Sequence, residues 1–544
     1  MKGPCTPGVI YVGDRHAGKV HVISRIRCEV MSHSDASPEP VTRGDLGTIA
    51  TRAARRDPEG VAFVEVDTGR TVTYGAFERW SNAFAAALRD RGLTDGDTLA
   101  VLATNGVEMY VAHVGALKAG VVTLFCNADL TPDALAYQLR DGDADAVVRD
   151  PALAPKLAAF DGDLDPTITT EADDTDAVSV ASLAGTDASP PDVAPAPDDP
   201  ALVLYTSGTT AKPKGVVHTH RSYTYGVVNT LVGGDVRRDD VQTGVLPLFH
   251  IHQDLWTKAA FCVGATTVLY DDFDPGTFLR SIDDHDVTYV NLMASMYRQL
   301  LDAEAAVDAS SVRRCVHGMP MEMDVRERVV DAFDADLQKV YGQTETLVTT
   351  FLDPRWQFEK SGNYVGEATP FADVAVMDED GELLGRGETG EIVVRGPSVM
   401  QGYLNRPDAS AAAWTDGWHH TDDIGRVDED GLLRFVDRKG DMIKTGGENV
   451  ASIRVEECLL DHPAVAECAV VGLPHDRWDE AVTAFVRVVV GEDVSADDLH
   501  THCEARLAPF ERPKSIVAVE TFPYTATGKI AKAELASAHR DHYE

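Results

Sequence analysis

The sequence predicts an α/β fold with largely parallel sheets, followed by a β-rich stretch and a mixed αβ tail. Three observations carry that prediction. Apolar β-rich runs alternate with helix-spaced runs through the first two thirds of the chain. After about residue 370 the texture changes to short strands with glycine-containing turns, such as GELLGRGETGEIVVRG and VDEDGLLRFVDRKGDMI. The 544 residues, 44% apolar and 25% charged, allow three or four ordinary domains, or one large domain with a smaller one.

Taken in order, residues 1–30 stand apart. Lys2, Arg15, Lys19, Arg25 and Arg27 against Asp14 and Glu29 give +3, and the segment lacks the apolar core of a signal peptide. Met31 opens the polar run MSHSDASPEP, so residues 1–44 are expected to be a disordered or mis-assigned extension, with the folded part starting near residue 45. Residues 98–126 read as strand, helix, strand. TLAVLAT is β-rich, Val107, Val111, Val114 and Leu117 recur at helical spacing, Gly120 stops the helix, and VVTLF follows. A right-handed crossover between parallel strands is the expected arrangement of such a unit. Residues 161–200 carry eleven acids, no Lys or Arg, and the tract PPDVAPAPDDP, which predicts a solvated loop. Alternation resumes at 201–270 and 287–350, and the last hundred residues return to mixed signals.

Charge and cysteine usage exclude several function classes. Acids number 88 and bases 49, a net charge of −39, and only 14 of the bases are lysine. Such a surface repels phosphate backbones and anionic lipid, so no nucleic-acid partner is expected; adaptation to high salt accounts for the excess. Eight cysteines form no CxxC pair and no Cys/His metal spacing, which suits a reducing cytoplasm. No uncharged apolar run reaches the roughly 18 residues needed to span a bilayer.

The stretch richest in chemistry is YTSGTTAKPKGV, residues 205–216, directly after the apolar run ALVL. Thr206, Ser207, Thr209 and Thr210 supply hydroxyls, Gly208 and Gly215 let backbone amides approach an anion, and two of the chain's 14 lysines, Lys212 and Lys214, supply charge. The GxxxxGK[ST] pattern fails, because Pro213 stands five after Gly208 and Val216 follows Gly215. The stretch therefore reads as a phosphate loop of another kind, with an ordinary Ser/Thr-rich turn as the bland alternative.

Further motifs follow in order: PLFHIHQ (247–253), YGQTE (341–345), GEIVVRGPSVMQGYLNRP (390–407), HHTDDIGRV (419–427), DRKGDMIKTGGENV (437–450) and PYTATGKI (523–530). Together they resemble the signature of the AMP-forming adenylate synthetases, the superfamily of acyl-CoA synthetases, firefly luciferase and peptide-synthetase adenylation domains. The resemblance implies an AMP-binding N-terminal domain over 45–437, a hinge at 438–440 and a mobile C-terminal domain over 441–544. It also implies an ATP-dependent ligase for a fatty or related organic acid, acting through an acyl-adenylate and passing the acyl group to coenzyme A. Thr206, Ser207, Gly208, Thr209, Thr210 and Lys214 would cradle phosphates, and Glu345 would help hold Mg²⁺. Tyr341 and Gly318 would line the adenine slot, with Thr344 near the α-phosphate. Asp423 and Arg438 would bind the ribose, and Lys529 would bridge carboxylate and α-phosphate as the catalytic lysine. His250 would stand at the mouth of the acyl pocket, with His252 as readily structural, and Gly446 and Gly447 would make room for the pantetheine arm.

The chain departs from the family pattern at several places. Gly440 stands where relatives have a hinge Asp or Lys, Ala211 replaces a loop glycine, and Met319 takes a small residue's place beside Gly318. Ser452, Arg454 and Glu456 stand where a proline and Glu-x-Glu are usual. Met293 and Met296 in NLMASMYRQLL are expected in the acyl-pocket wall, where methionine favours flexible alkyl acids. Two rivals stay open at this level: an adenylase that serves a carrier-protein thiol, and a non-catalytic nucleotide-binding regulator. The sequence leaves the oligomeric state open, a homodimer included.

Overall fold

The computed structural model describes residues 45–171, 178–206, 212–303, 307–360, 362–489, 491–492, 494–524 and 529–543. The expected extension, residues 1–44, lies outside the described residues. The 98–126 unit forms as predicted: strands Thr98–Leu102 and Val122–Phe125 pair in parallel around the helix Val107–Lys118. Gly120 ends that helix with φ of 75°, the left-handed turn that its lack of a Cβ permits.

This unit belongs to an eight-stranded sheet. Its parallel part runs from Pro200–Thr206 through Val122–Phe125, Thr98–Leu102 and Ala146–Arg149 to Thr167–Thr169 and Val178–Ser179. The last two strands correct the expectation of a loop over 161–200. They are only three and two residues long, and they are held by backbone pairing at the sheet edge rather than by an apolar run of their own. At the other edge Lys214–Thr219 pairs antiparallel with Pro200–Thr206 and is followed by Gly402–Tyr403.

A fourteen-stranded sheet has a parallel half and an antiparallel half. Val61–Glu65, Thr266–Leu269, Val241–Gly244, Tyr289–Asn291, Arg314–His317 and Asp336–Gln343 lie parallel. Leu347–Leu352, Tyr364–Ala368, Leu433–Arg438, Trp418–Val427, Gly390–Arg395 and Asp373–Met377 continue it antiparallel, and the last four of these are the β-rich residues expected after about 370. The largest core cluster draws on both sheets and includes Phe63, Phe77, Tyr110 and Phe261, with ring centroids 5.1–6.3 Å apart. Inside it Lys258 pairs with Asp254 one helical turn away and contacts His113 Nε2 at 2.7 Å, so a buried charge is compensated on the spot.

The small C-terminal domain has its own five-stranded sheet, built on the long hairpin of Val465–His475 with Asp479–Val488. Helices Ser452–Leu460, Ala496–Glu504 and Lys532–Ala538 accompany it, and Leu459, Val470, Val482 and Leu499 lie in its core. Among the described residues, no helix is long and apolar enough to cross a membrane.

Candidate active site

Two strand pairs bring the expected residues together. The first is the hairpin of Pro200–Thr206 and Lys214–Thr219, whose register sets Thr206 opposite Lys214. Ser207, Gly208, Thr209, Thr210 and Ala211 lie outside the described residues; Thr206 and Lys214 on either side of them are fixed by this pairing. The Thr206 hydroxyl is buried with no hydrogen-bond partner among the described residues. Lys214 Nζ stands 4.1 Å from the centre of the Tyr403 ring, a cation–π contact. Tyr403 is held by pairing of Gly402–Tyr403 with Val216 and Val217, and its hydroxyl donates to Glu345 Oε1 at 3.0 Å. Two backbone contacts tie the YGQTE segment to the same place. His218 Nε2 donates to the Thr344 carbonyl at 2.7 Å, and Met400 N donates to the Glu345 carbonyl at 2.7 Å. Lys214, Tyr403, Glu345 and Thr344 thus form one stitched cluster.

The second pair is Trp418–Val427 with Leu433–Arg438, whose register sets Asp423 directly opposite Arg438. Asp423 is 1% exposed. Its Oδ2 accepts from the Tyr341 hydroxyl and from Gln343 Nε2, each at 2.7 Å, and Arg438 Nε lies 3.3 Å from Oδ1. Burial pushes the Asp423 carboxyl above its ordinary value, against the pull of Arg438, Tyr341 and Gln343. Oδ1 accepts no hydrogen bond among the described residues. Gly318 follows the strand Arg314–His317, which pairs with Asp336–Gln343, and a methyl built on it would meet Val340 at 3.9 Å. Gly318 therefore stands just past the end of the strand that neighbours the one carrying Tyr341. Met319, 36% exposed, offers its carbonyl to His317 Nδ1 at 2.9 Å.

Lys529 reaches this cluster from the small domain. Desolvation lowers its pKa first, the Arg438 charge lowers it further, and Asp423 opposes both. Lys529 is nonetheless exposed, so water reaches it. His250 lies in the same electrostatic neighbourhood. It precedes the helix Ile251–Val263, and burial, then Lys529, then His252 lower its pKa to about 4. His252 is committed elsewhere, contacting Asn291 Oδ1 at 2.8 Å and stacking on Trp256 at 4.3 Å. Met296 packs against the core beneath its helix.

Gly446 and Gly447 are not part of this cluster. They form the two-residue turn between Ile443–Thr445 and Glu448–Val450, with φ of 61° and 86°, and Gly446 N donates to the Trp478 carbonyl at 2.8 Å. Gly440 lies exposed in the turn after Arg438. Three residues that sequence reasoning did not single out complete the site: Gln343, Tyr403 and His218. The first two lie inside the motifs YGQTE and GYLNRP, so the signal was position within a motif. His218 had no such signal.

Comparison with known proteins follows the same outline. The family model described as AMP-binding enzyme matches residues 50–404, and the model of the AMP-binding enzyme C-terminal domain matches residues 454–529. A feruloyl-CoA synthase of Amycolatopsis sp. is 34% identical over 495 residues, 90% of this chain and 98% of that one. A long-chain-fatty-acid–CoA ligase of Mycobacterium tuberculosis is 32% identical over 499 residues, 90% of this chain and 98% of that one. Among solved structures, o-succinylbenzoate coenzyme A synthetase of Bacillus subtilis, in complex with ATP and magnesium ion, superposes with a TM-score of 0.80. Its sequence is 29% identical, and the match covers 90% of this chain and 99% of that one.

Proposed function

The chain belongs to the AMP-binding enzyme family, and from that membership we propose that its site joins a fatty or related organic acid to coenzyme A in two steps driven by ATP. The observation that carries this reading is the convergence of Lys529, from the small domain, on the Asp423–Arg438–Tyr341 cluster of the large one.

In the first step a carboxylate oxygen attacks the α-phosphorus, the bond to the bridging oxygen breaks, and acyl-AMP and pyrophosphate result. Two anions approach each other, so positive charge and fixed donors must stand ready. Lys214 and the hydroxyls of Thr206, Ser207, Thr209 and Thr210, with the backbone at Gly208, bind the β- and γ-phosphates. Asp423 keeps Oδ2 for Tyr341 and Gln343 and offers Oδ1 to a ribose hydroxyl. Arg438 neutralises Asp423 and reaches the same ribose. Tyr341 and Gly318 bound the adenine, and Thr344 stands near the α-phosphate. Lys529 holds carboxylate and α-phosphate together through the transfer. Glu345 suits Mg²⁺, a hard cation that takes one or two carboxylates and fills its shell with phosphate and water oxygens. Mg²⁺ held by Glu345 would supply positive charge beside the phosphates.

In the second step a thiolate attacks the acyl carbon, the bond to the phosphate oxygen breaks, and AMP leaves. We assign this step to a second arrangement in which the domain over 441–544 turns about residues 438–440 and brings Gly446 and Gly447 to the pantetheine arm. His250, neutral and beside Lys529, faces the acid's carboxylate without adding charge. The alkyl class of acid is favoured by Met293 alone, half-buried at the start of the helix Ala294–Asp302, since Met296 is taken up by core packing. Free thiols at all six described cysteines support a reducing, cytoplasmic setting, and the net charge of −39 supports a saline one.

Pyrophosphate release in molar KCl with MgATP, across fatty, aryl and short acids and with or without coenzyme A, tests the reading. Release that depends on one acid class and yields its CoA thioester is expected. Release without thioester would move the acceptor to a carrier-protein thiol, and orthophosphate release without an acid would overturn the reading.

A further inference from the structure

We propose that Lys532, three residues beyond Lys529, is a positioning residue for that lysine, clasping the small domain to the strand that carries Arg438. Lys532 opens the helix Lys532–Ala538, where a cation opposes the helix dipole and needs compensation. It finds compensation on another helix of the small domain: Nζ lies 2.7 Å from Glu456 Oε1 and donates to Ser452 Oγ at 2.7 Å. Glu456 Oε1 also accepts from Val470 N at 2.7 Å, so it cannot swing away freely.

The clasp continues across residues 438–440. Asp437, fully buried at the end of Leu433–Arg438, accepts from Ile453 N at 3.4 Å and from its neighbour Arg438 N at 2.7 Å. The Lys532 charge favours the Asp437 carboxylate against the cost of its burial. The helix Ser452–Leu460 has Ala451 at its N-cap and no capping side chain of its own. Asp437 therefore caps it from the large domain. Burial works against the Lys532 charge, and Glu456 with Asp437 outweighs that, leaving its pKa raised.

Asp437, Ser452, Glu456 and Lys532 thus link the strand bearing Arg438 to the segment bearing Lys529. Between the two lysines the chain is short and pinned, with Ala531 N donating to the Pro523 carbonyl at 2.8 Å. A shift of Lys532 is passed to Lys529. Asp437 precedes residues 438–440 and its partners follow them, so rotation of the small domain must open the clasp. The Ser452 hydroxyl supplies a tether by accepting from Lys532, whereas Gly440 has no side chain to supply one. The inference rests on the two-step reading proposed above.

Two measurements test it. Lys532→Met should slow acid-dependent pyrophosphate release by about 10- to 100-fold, the scale of a small misplacement of a reacting group. It should change thioester formation from supplied acyl-adenylate and coenzyme A by less than about threefold, and Lys532→Arg should restore the first step. Equal loss in both steps, or none in the first, would overturn the proposal. Independently of turnover, spin labels introduced by Glu379→Cys and Thr501→Cys, both exposed positions, report the interdomain distance. A single narrow distribution is expected in the parent, and a second population in Lys532→Met and Asp437→Asn. Identical distributions would overturn the clasp. If the parent releases no pyrophosphate with any acid, the two-step reading fails while the distances still decide the clasp.

Discussion

Asp423 is nearly fully buried, and a buried carboxylate needs donors in proportion to its charge. It has Tyr341 and Gln343 on one oxygen and Arg438 beside the other, which leaves one acceptor site for a ligand. Asp423→Asn preserves the shape and removes the charge. A hydrogen bond to a charged group contributes about 1.5–3 kcal/mol, so KM for ATP should rise by roughly 10- to 100-fold. Unchanged KM in the pyrophosphate assay would remove Asp423 from the ribose. His250 yields a pH prediction. The unfolded chain takes up its proton below about 6.5, whereas the folded one resists until about 4. Its burial therefore costs stability as pH falls through that window, and His250 stays neutral near pH 7. The acid limb of kcat/KM should then be the same in the parent and in His250→Asn. A limb near 6.5 that vanishes in the variant would contradict this.

At the scale of elements, the site depends on strand registers. The pairing of Trp418–Val427 with Leu433–Arg438 aligns Asp423 with Arg438, and the hairpin at 200–219 aligns Thr206 with Lys214. The YGQTE turn depends on Gly342, where an added Cβ would lie 1.9 Å from the Leu347 carbonyl oxygen. Gly342→Ala must move the backbone that carries Gln343, Thr344 and Glu345. Overpacking of this kind costs about 1–3 kcal/mol, so Tm should fall by several degrees and pyrophosphate release should drop with it; a parent-like Tm would show that the turn has slack. Much of this was legible in advance. The βαβ unit at 98–126 was readable because its apolar residues have a clear period, and the β-rich stretch because its turns carry glycine. The motif residues Lys214, Glu345, Asp423, Arg438 and Lys529 were readable as types. Their partners were not. Tyr403 meets Lys214 across 189 positions of sequence, and such contacts follow from sheet order, which no local pattern encodes. The strands Thr167–Thr169 and Val178–Ser179 were missed because backbone pairing, not side-chain pattern, makes them.

At the scale of the molecule, 88 acids against 49 bases shape the surface. Raising KCl from about 0.1 M to about 1 M shortens the screening length from about 10 Å to about 3 Å. Repulsion among exposed carboxylates then weakens, and Tm should rise by several degrees over that range; a Tm that falls would oppose the salt-adapted reading. The same whole-molecule view sets the central claim, that a small domain delivers Lys529 to a nucleotide site built by the large one. The most direct test is Lys529→Ala, assayed separately for acid-dependent pyrophosphate release and for thioester formation from supplied acyl-adenylate and coenzyme A. The account predicts a loss of roughly 10²–10³-fold in the first reaction and near-parent rates in the second. Equal loss in both reactions, or an unimpaired first reaction, would contradict it.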